Sequence, residues 1–186
     1  MVITIVVLTS MVYVSSAWSS VVGTWNVEGK MKIKMTIKGG PTEKESGYIY
    51  DVFTFYPTGD FEMTDMEGVW IQTDKKFTIN IDNEDIETYF EDELWYEYGI
   101  DAGLEVTKNL FNGKEDKNGE SIKGKYELNM DVYYYDYGLE GKLSTTWNYN
   151  GIWAYASDSS YLDEDNTLPL PGSVLQAIGE KLRQLE

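Results

Sequence analysis

The side chains able to do chemistry in this sequence are carboxylates, hydroxyls and lysines, because its 186 residues include neither cysteine nor histidine. That removes disulfides, a lipid-anchored cysteine, thiol nucleophiles, imidazole bases and every Cys/His zinc site. Paired carboxylates could serve glycoside hydrolysis, but a chain with 32 acids contains such pairs by chance. Calcium takes about six to eight oxygen ligands, usually from a D-x-D-x-D-G loop. Neither the acidic stretch 82–98 nor "DEDN" at 163–166 has that spacing, and solvated charge accounts for both. No catalytic constellation stands out, so the sequence points to a non-enzymatic protein without metal or cofactor.

Binding chemistry is better represented. "DVYYYDYG" places Tyr133, Tyr134, Tyr135 and Tyr137 together. With Tyr134 inward, the other three form an outer aromatic ladder that stacks on sugar rings, makes an interface, or braces the sheet. Residues 30–38, "KMKIKMTIK", alternate oil and cation. In an extended chain this puts Met31, Ile33, Met35 and Ile37 on one dry face and Lys30, Lys32, Lys34 and Lys38 on a wet one. The same phase identifies Trp25, then Phe77, Ile79 and Ile81, then Tyr126, Leu128, Met130 and Val132, then Leu143, Trp147 and Tyr149 as inward. Two readings stand side by side. Either these residues line a cavity for an apolar ligand, with Met adaptable and Tyr126, Tyr149 or Thr145 as polar ends, or they fill the interior.

The elements that carry these residues can be read from periodicity. Strands run through 23–38, through a hairpin with turn Pro57-Thr58-Gly59-Asp60, and through a second hairpin tightened at Asp74-Lys75. From Asp82 to Tyr98 the apolar positions Ile86, Tyr89, Phe90 and Leu94 take helical spacing, with Asp82 or Asn83 to cap the start and Gly99 to end it. This helix has no basic residue. Strands resume at 103, turn at 116–119, and end with a strand over 139–155, giving eight. Consecutive hairpins of this number predict an all-β, antiparallel up-and-down barrel with one inserted acidic helix.

Outside the barrel, residues 1–17 are an apolar run with Ser15 and Ala17 at a cleavage site before Trp18, read as a signal peptide despite lacking an early Lys or Arg. Residues 156–172 are acidic and proline-punctuated, a linker. Residues 173–186 form an amphipathic C-terminal helix with Leu175, Ile178, Leu182 and Leu185 on one stripe. A formal charge of −17 disfavours nucleic-acid and anionic-lipid partners.

"VVGTWNV" at the head of the first strand resembles the opening of the lipocalin and fatty-acid-binding superfamily, with Gly23 and Trp25 in the Gly-x-Trp positions. The resemblance covers residues 22 to 155. It implies a lipocalin-like domain at 18–155 whose tryptophan plugs the closed end of the barrel. The helix between the fifth and sixth strands departs from that family, as does the lack of an arginine to stack on Trp25, since the one Arg is Arg183. The expected function is a secreted or periplasmic binding protein for a hydrophobic small molecule or lipid. Its ligand would lie among Trp25, Met31, Ile33, Met35, Phe77, Ile79, Tyr126, Leu128, Met130, Leu143, Trp147 and Tyr149. The alternative is a filled barrel that binds a protein or glycan through its tyrosine face and C-terminal helix. A third arrangement, an outer-membrane barrel, would turn Met and Ile to lipid and the lysines to the lumen; the midchain acidic helix and the long polar tail argue against it, so the processed chain is not expected to be an integral membrane protein.

Overall fold

The alternation of residues 30–38 survives intact: Met31, Ile33, Met35 and Ile37 are buried, and Lys30, Lys32 and Lys34 stand in solvent. They belong to strand β1 (Gly23–Ile37) of a computed structural model that describes residues 20–40 and 42–154. The signal peptide, linker and C-terminal helix expected at 1–17, 156–172 and 173–186 lie outside the described residues. Then follow β2 (Thr42–Phe55), β3 (Asp60–Met63), β4 (Met66–Thr73), β5 (Lys76–Asn80), helix α1 (Asn83–Tyr98), β6 (Ala102–Glu115), β7 (Ser121–Tyr134), a short 3-10 turn (Tyr135–Tyr137) and β8 (Leu139–Trp153). Each strand pairs antiparallel with the next, and β8 pairs with β1, which closes the barrel. The periodicity placed the helix correctly between the fifth and sixth strands. It did not show the first half of β2: "TEKESG" has no apolar alternation and is extended because β1 offers it a backbone ladder from Lys30–Tyr48 to Thr36–Thr42.

The barrel wall is uneven. Strands β1, β2, β6, β7 and β8 are 14 or 15 residues long, whereas β3, β4 and β5 have 4, 8 and 5. All eight reach the end marked by Gly23 and Phe55. At the other end, near Ile37 and Ala102, the three short strands are missing and the wall has a notch. Pairing shows the same thing: β2 meets β3 only at Thr54–Glu62 and Phe55–Phe61, and β5 meets β6 only from Lys76–Lys114 to Ile79–Phe111.

Helix α1 fills the notch. Its start is capped by the Asp82 carboxylate, which accepts from the Glu84 amide at 2.9 Å, and Glu84 and Asp85 suit the positive end of the helix dipole. Gly99 ends it at φ 64°, a left-handed conformation that glycine takes without a Cβ clash; the Ile100 amide then reaches back to the Leu94 carbonyl at 3.0 Å. Ile86, Phe90 and Leu94 are buried on the barrel side.

The acidic face of α1 is not solvated throughout. Beyond β5, strand β6 would expose unpaired amides, and two helix carboxylates replace the absent strand. Glu87 accepts from the Val106 amide at 2.6 Å and Glu91 from the Leu104 amide at 2.7 Å. The Asn109 side chain continues the seam by donating to the Ile81 carbonyl at 2.9 Å. Covering an edge in this way protects it from pairing with another chain. Glu91→Ala is expected to strand the Leu104 amide and cost about 1–2 kcal/mol. Faster hydrogen exchange at Leu104 than at its neighbours on the β7 side would register the loss.

Candidate functional site

The inward residues form ladders across β7, β8 and β1. Starting at the complete end, the rows are Gly124–Tyr149–Gly29, Tyr126–Trp147–Met31, Leu128–Thr145–Ile33, and Met130–Leu143–Met35. Register therefore divides the interior into an aromatic half and a half lined by methionine and aliphatic side chains. Every residue that the alternation assigned inward is buried there, Trp25, Phe77, Ile79, Ile81 and Val132 included.

The aromatic half is tightly filled. Phe53 is its hub, with ring centroids of Phe55, Phe61, Phe111, Trp147 and Tyr149 at 5.3 to 6.5 Å, all edge-on. Edge-to-face packing sets positive ring edges against negative faces, which rewards this geometry beyond its buried area. Trp25 lies beneath, wholly buried, edge-on to Trp153 at 4.9 Å, and its indole N–H donates to the Val21 carbonyl at 2.8 Å. The Gly-x-Trp tryptophan thus sits at the end where all eight strands meet. Gly29 makes room for the neighbouring indole: a Cβ there would fall 2.6 Å from Trp147 Nε1 and 2.1 Å from the Asn148 carbonyl oxygen.

Two polar atoms on β7 and β8, the Tyr126 hydroxyl and Trp147 Nε1, are buried without a partner. Their residues are in register on adjacent strands, where the aromatic half gives way to the methionine half. Burial drives the Tyr126 phenol well above its ordinary range, so it stays a protonated donor. Tyr149, by contrast, donates to the Asn112 carbonyl at 3.0 Å, and Tyr134 to Met35 Sδ at 3.7 Å.

On β2, Gly47, Glu45 and Glu43 take the inward phase opposite Met31, Ile33 and Met35, yet none is buried. A Cβ at Gly47 would meet no atom within 4 Å, although Met31 opposite it is buried.

The alternation missed the inner faces of β2, β3 and β6: Phe53, Phe55, Phe61, Met63 and Phe111 are all buried. Their signal was present in "YIYDVFTFYPTGDFEM", where Ile49, Asp51, Phe53 and Phe55 share one phase. That phase contains a carboxylate, and Asp51 is indeed buried. Its Oδ1 accepts from the Thr64 hydroxyl at 2.7 Å, the Thr64 amide at 3.1 Å and the Val52 amide at 2.6 Å, whereas Oδ2 has no partner. Desolvation outweighs those bonds and raises its pKa from 3.8 to about 6. Nearby, Tyr89 of α1 is hydrogen-bonded to Asp65 in the β3–β4 turn, which ties the helix across the notch.

On the outside, Tyr133 and Tyr135 pack edge-on at 5.3 Å and border a groove of about 810 Å³ that Lys38, Glu105 and Lys142 also line. Tyr134 points inward and its two described neighbours outward, as the alternation predicts; the Tyr137 side chain lies outside the described residues. Among the described residues no group of three or more acidic side chains could hold a metal ion. No family model, curated protein or solved structure matches the chain.

Proposed function

We propose that the protein is a lipocalin-like, non-catalytic carrier of a neutral hydrophobic small molecule, acting outside the cytoplasm. One observation carries the reading: Tyr126 and Trp147 hold two buried donors without acceptors where the aromatic packing meets the methionine and aliphatic rows, and there the ligand's chamber is proposed to lie. Buried polar groups in native proteins nearly always find a partner, and a ligand carbonyl or hydroxyl supplies one. Methionine walls adapt to the rest of an apolar ligand. Glu43 and Glu45 at the mouth disfavour a carboxylate head, which selects for a neutral ligand. Support for the lipocalin likeness comes from Trp25 at the fully stranded end, and support for a water-facing outer wall from the exposed lysines of β1. The apolar residues 1–17 support export.

A neutral naphthyl ketone dye, whose emission moves to the blue in apolar surroundings, tests the chamber directly. Saturable binding is expected. Gly47→Trp should weaken it roughly tenfold, a difference of about 1.4 kcal/mol, with no loss of thermal stability because the new side chain enters open space. No blue shift with the wild-type protein would overturn the carrier reading. It would leave the filled barrel, with the groove beside Tyr133 and Tyr135 as its binding surface, as the reading that the packed aromatic half supports.

A further inference from the structure

In a chain of charge −17, five lysines converge where the strands all meet. Lys76, Lys114 and Lys123 face each other in register across β5, β6 and β7 on the outer wall, and Lys75 and Lys117 stand on the adjoining turns. All five line one hollow of about 610 Å³. Like charges directly opposite on neighbouring strands oppose folding. None of the five makes an ion pair among the described residues; Lys75 instead donates to the Asp116 and Lys117 carbonyls at 2.9 Å each. The two acids of the lining are already committed. Glu115 is buried, and the Asp116 carboxylate accepts the amides of Asn118, Glu120 and Ser121 at 3.2, 3.0 and 3.4 Å, closing its own turn.

A concentration of uncompensated positive charge in so acidic a protein is a site for an anionic partner. The third side of the hollow identifies which one. It is formed by Asn150, Gly151 and Ile152 of β8, and the described chain ends two residues later at Ala154. Four residues beyond that, the sequence turns acidic, with Asp158, Asp163, Glu164 and Asp165. Four residues span at most about 14 Å and eleven at most about 40 Å, so Asp158 and the 163–165 run are both within tether's reach of the lysines. Tethering at that distance gives them an effective concentration on the order of millimolar, which no dilute external anion matches. We propose that the hollow is the docking site of the chain's own acidic run 158–165.

The full-length protein, treated when dilute with a carbodiimide that joins contacting carboxylates and amines, reads this contact. In the monomer fraction, Asp163, Glu164 or Asp165 is expected to form amide bridges with Lys114, Lys117 or Lys123. Raising the salt to about 1 M, where screening acts within about 3 Å, should cut the yield several-fold. A full-length variant with Asp163→Asn, Glu164→Gln and Asp165→Asn should expose Lys114 and Lys123 to an amine-acylating reagent several-fold more than the wild type. Bridges confined to covalent dimers would assign the hollow to a second copy. Unchanged lysine acylation in the variant would assign it to an external anion. Either result overturns the proposal.

Discussion

Phe53→Ala is expected to destabilise the protein by about 3–5 kcal/mol, the range for deleting a fully buried aromatic ring. Phe53 touches rings contributed by β2, β3, β6 and β8. Those strands are locked in register on opposite sides of the barrel, so the neighbours cannot collapse into the space. Part of the loss is the void, and part is the edge-to-face attraction, worth about 0.5–1.5 kcal/mol per good aromatic pair. Phe53→Leu keeps most of the volume and should lose markedly less. Denaturant unfolding of both variants, followed by near-ultraviolet circular dichroism, separates the terms. An alanine variant within about 1 kcal/mol of wild type would mean that Phe53 is not the hub of a packed cluster.

Asp51→Asn should do the reverse and stabilise the protein at neutral pH. The buried carboxyl is pushed from 3.8 to about 6, chiefly by desolvation. Below pH 3.8 it is neutral in both folded and unfolded chains and imposes no penalty. Between 3.8 and about 6 the folded chain alone retains the proton, so stability falls as pH rises through that window. Above it, ionisation is complete and the folded state carries a cost of about 3 kcal/mol, from about 1.4 kcal/mol per pKa unit. Asparagine keeps an oxygen for the Thr64 and Val52 donors but places an amide nitrogen where Oδ2 stood unpartnered, so the net gain should be about 1–3 kcal/mol. Other carboxylates titrate in the same range. The informative quantity is therefore the difference between variant and wild type, which should rise in the variant's favour by about 3 kcal/mol from pH 3.5 to pH 7. A variant less stable than wild type at pH 7 would show that the hydrogen bonds to the carboxylate outweigh its desolvation.

The two substitutions probe different parts of one design. Phe53 belongs to the half of the barrel where eight strands surround a packed interior. Asp51 lies beside it on the inward phase of β2, where the short strands begin to run out and α1 takes over the wall. The carboxylate-to-amide seam between Glu87, Glu91 and β6, and the Tyr89–Asp65 bond opposite, hold the helix across that gap.

Much of this was legible in the chain alone. Alternation in β1, β5, β7 and β8 identified the inner face because a strand has a period of two and one side of it is dry. The acidic helix, its Asp82 cap and its Gly99 stop were legible because capping chemistry is local. What sequence could not supply are the quantities that depend on partners distant along the chain. The length of β2 follows from the ladder offered by β1, the notch from the unequal reach of β3 to β5, and the role of Glu87 and Glu91 from a strand edge left bare nineteen and thirteen residues away. Likewise the row Lys76–Lys114–Lys123 exists only through cross-strand register. Whether an inward face encloses a chamber or a packed cluster was open to sequence because period two reports orientation and carries no volume; closure of the barrel buried one half as a cluster of rings and the other as rows of methionine and aliphatic side chains.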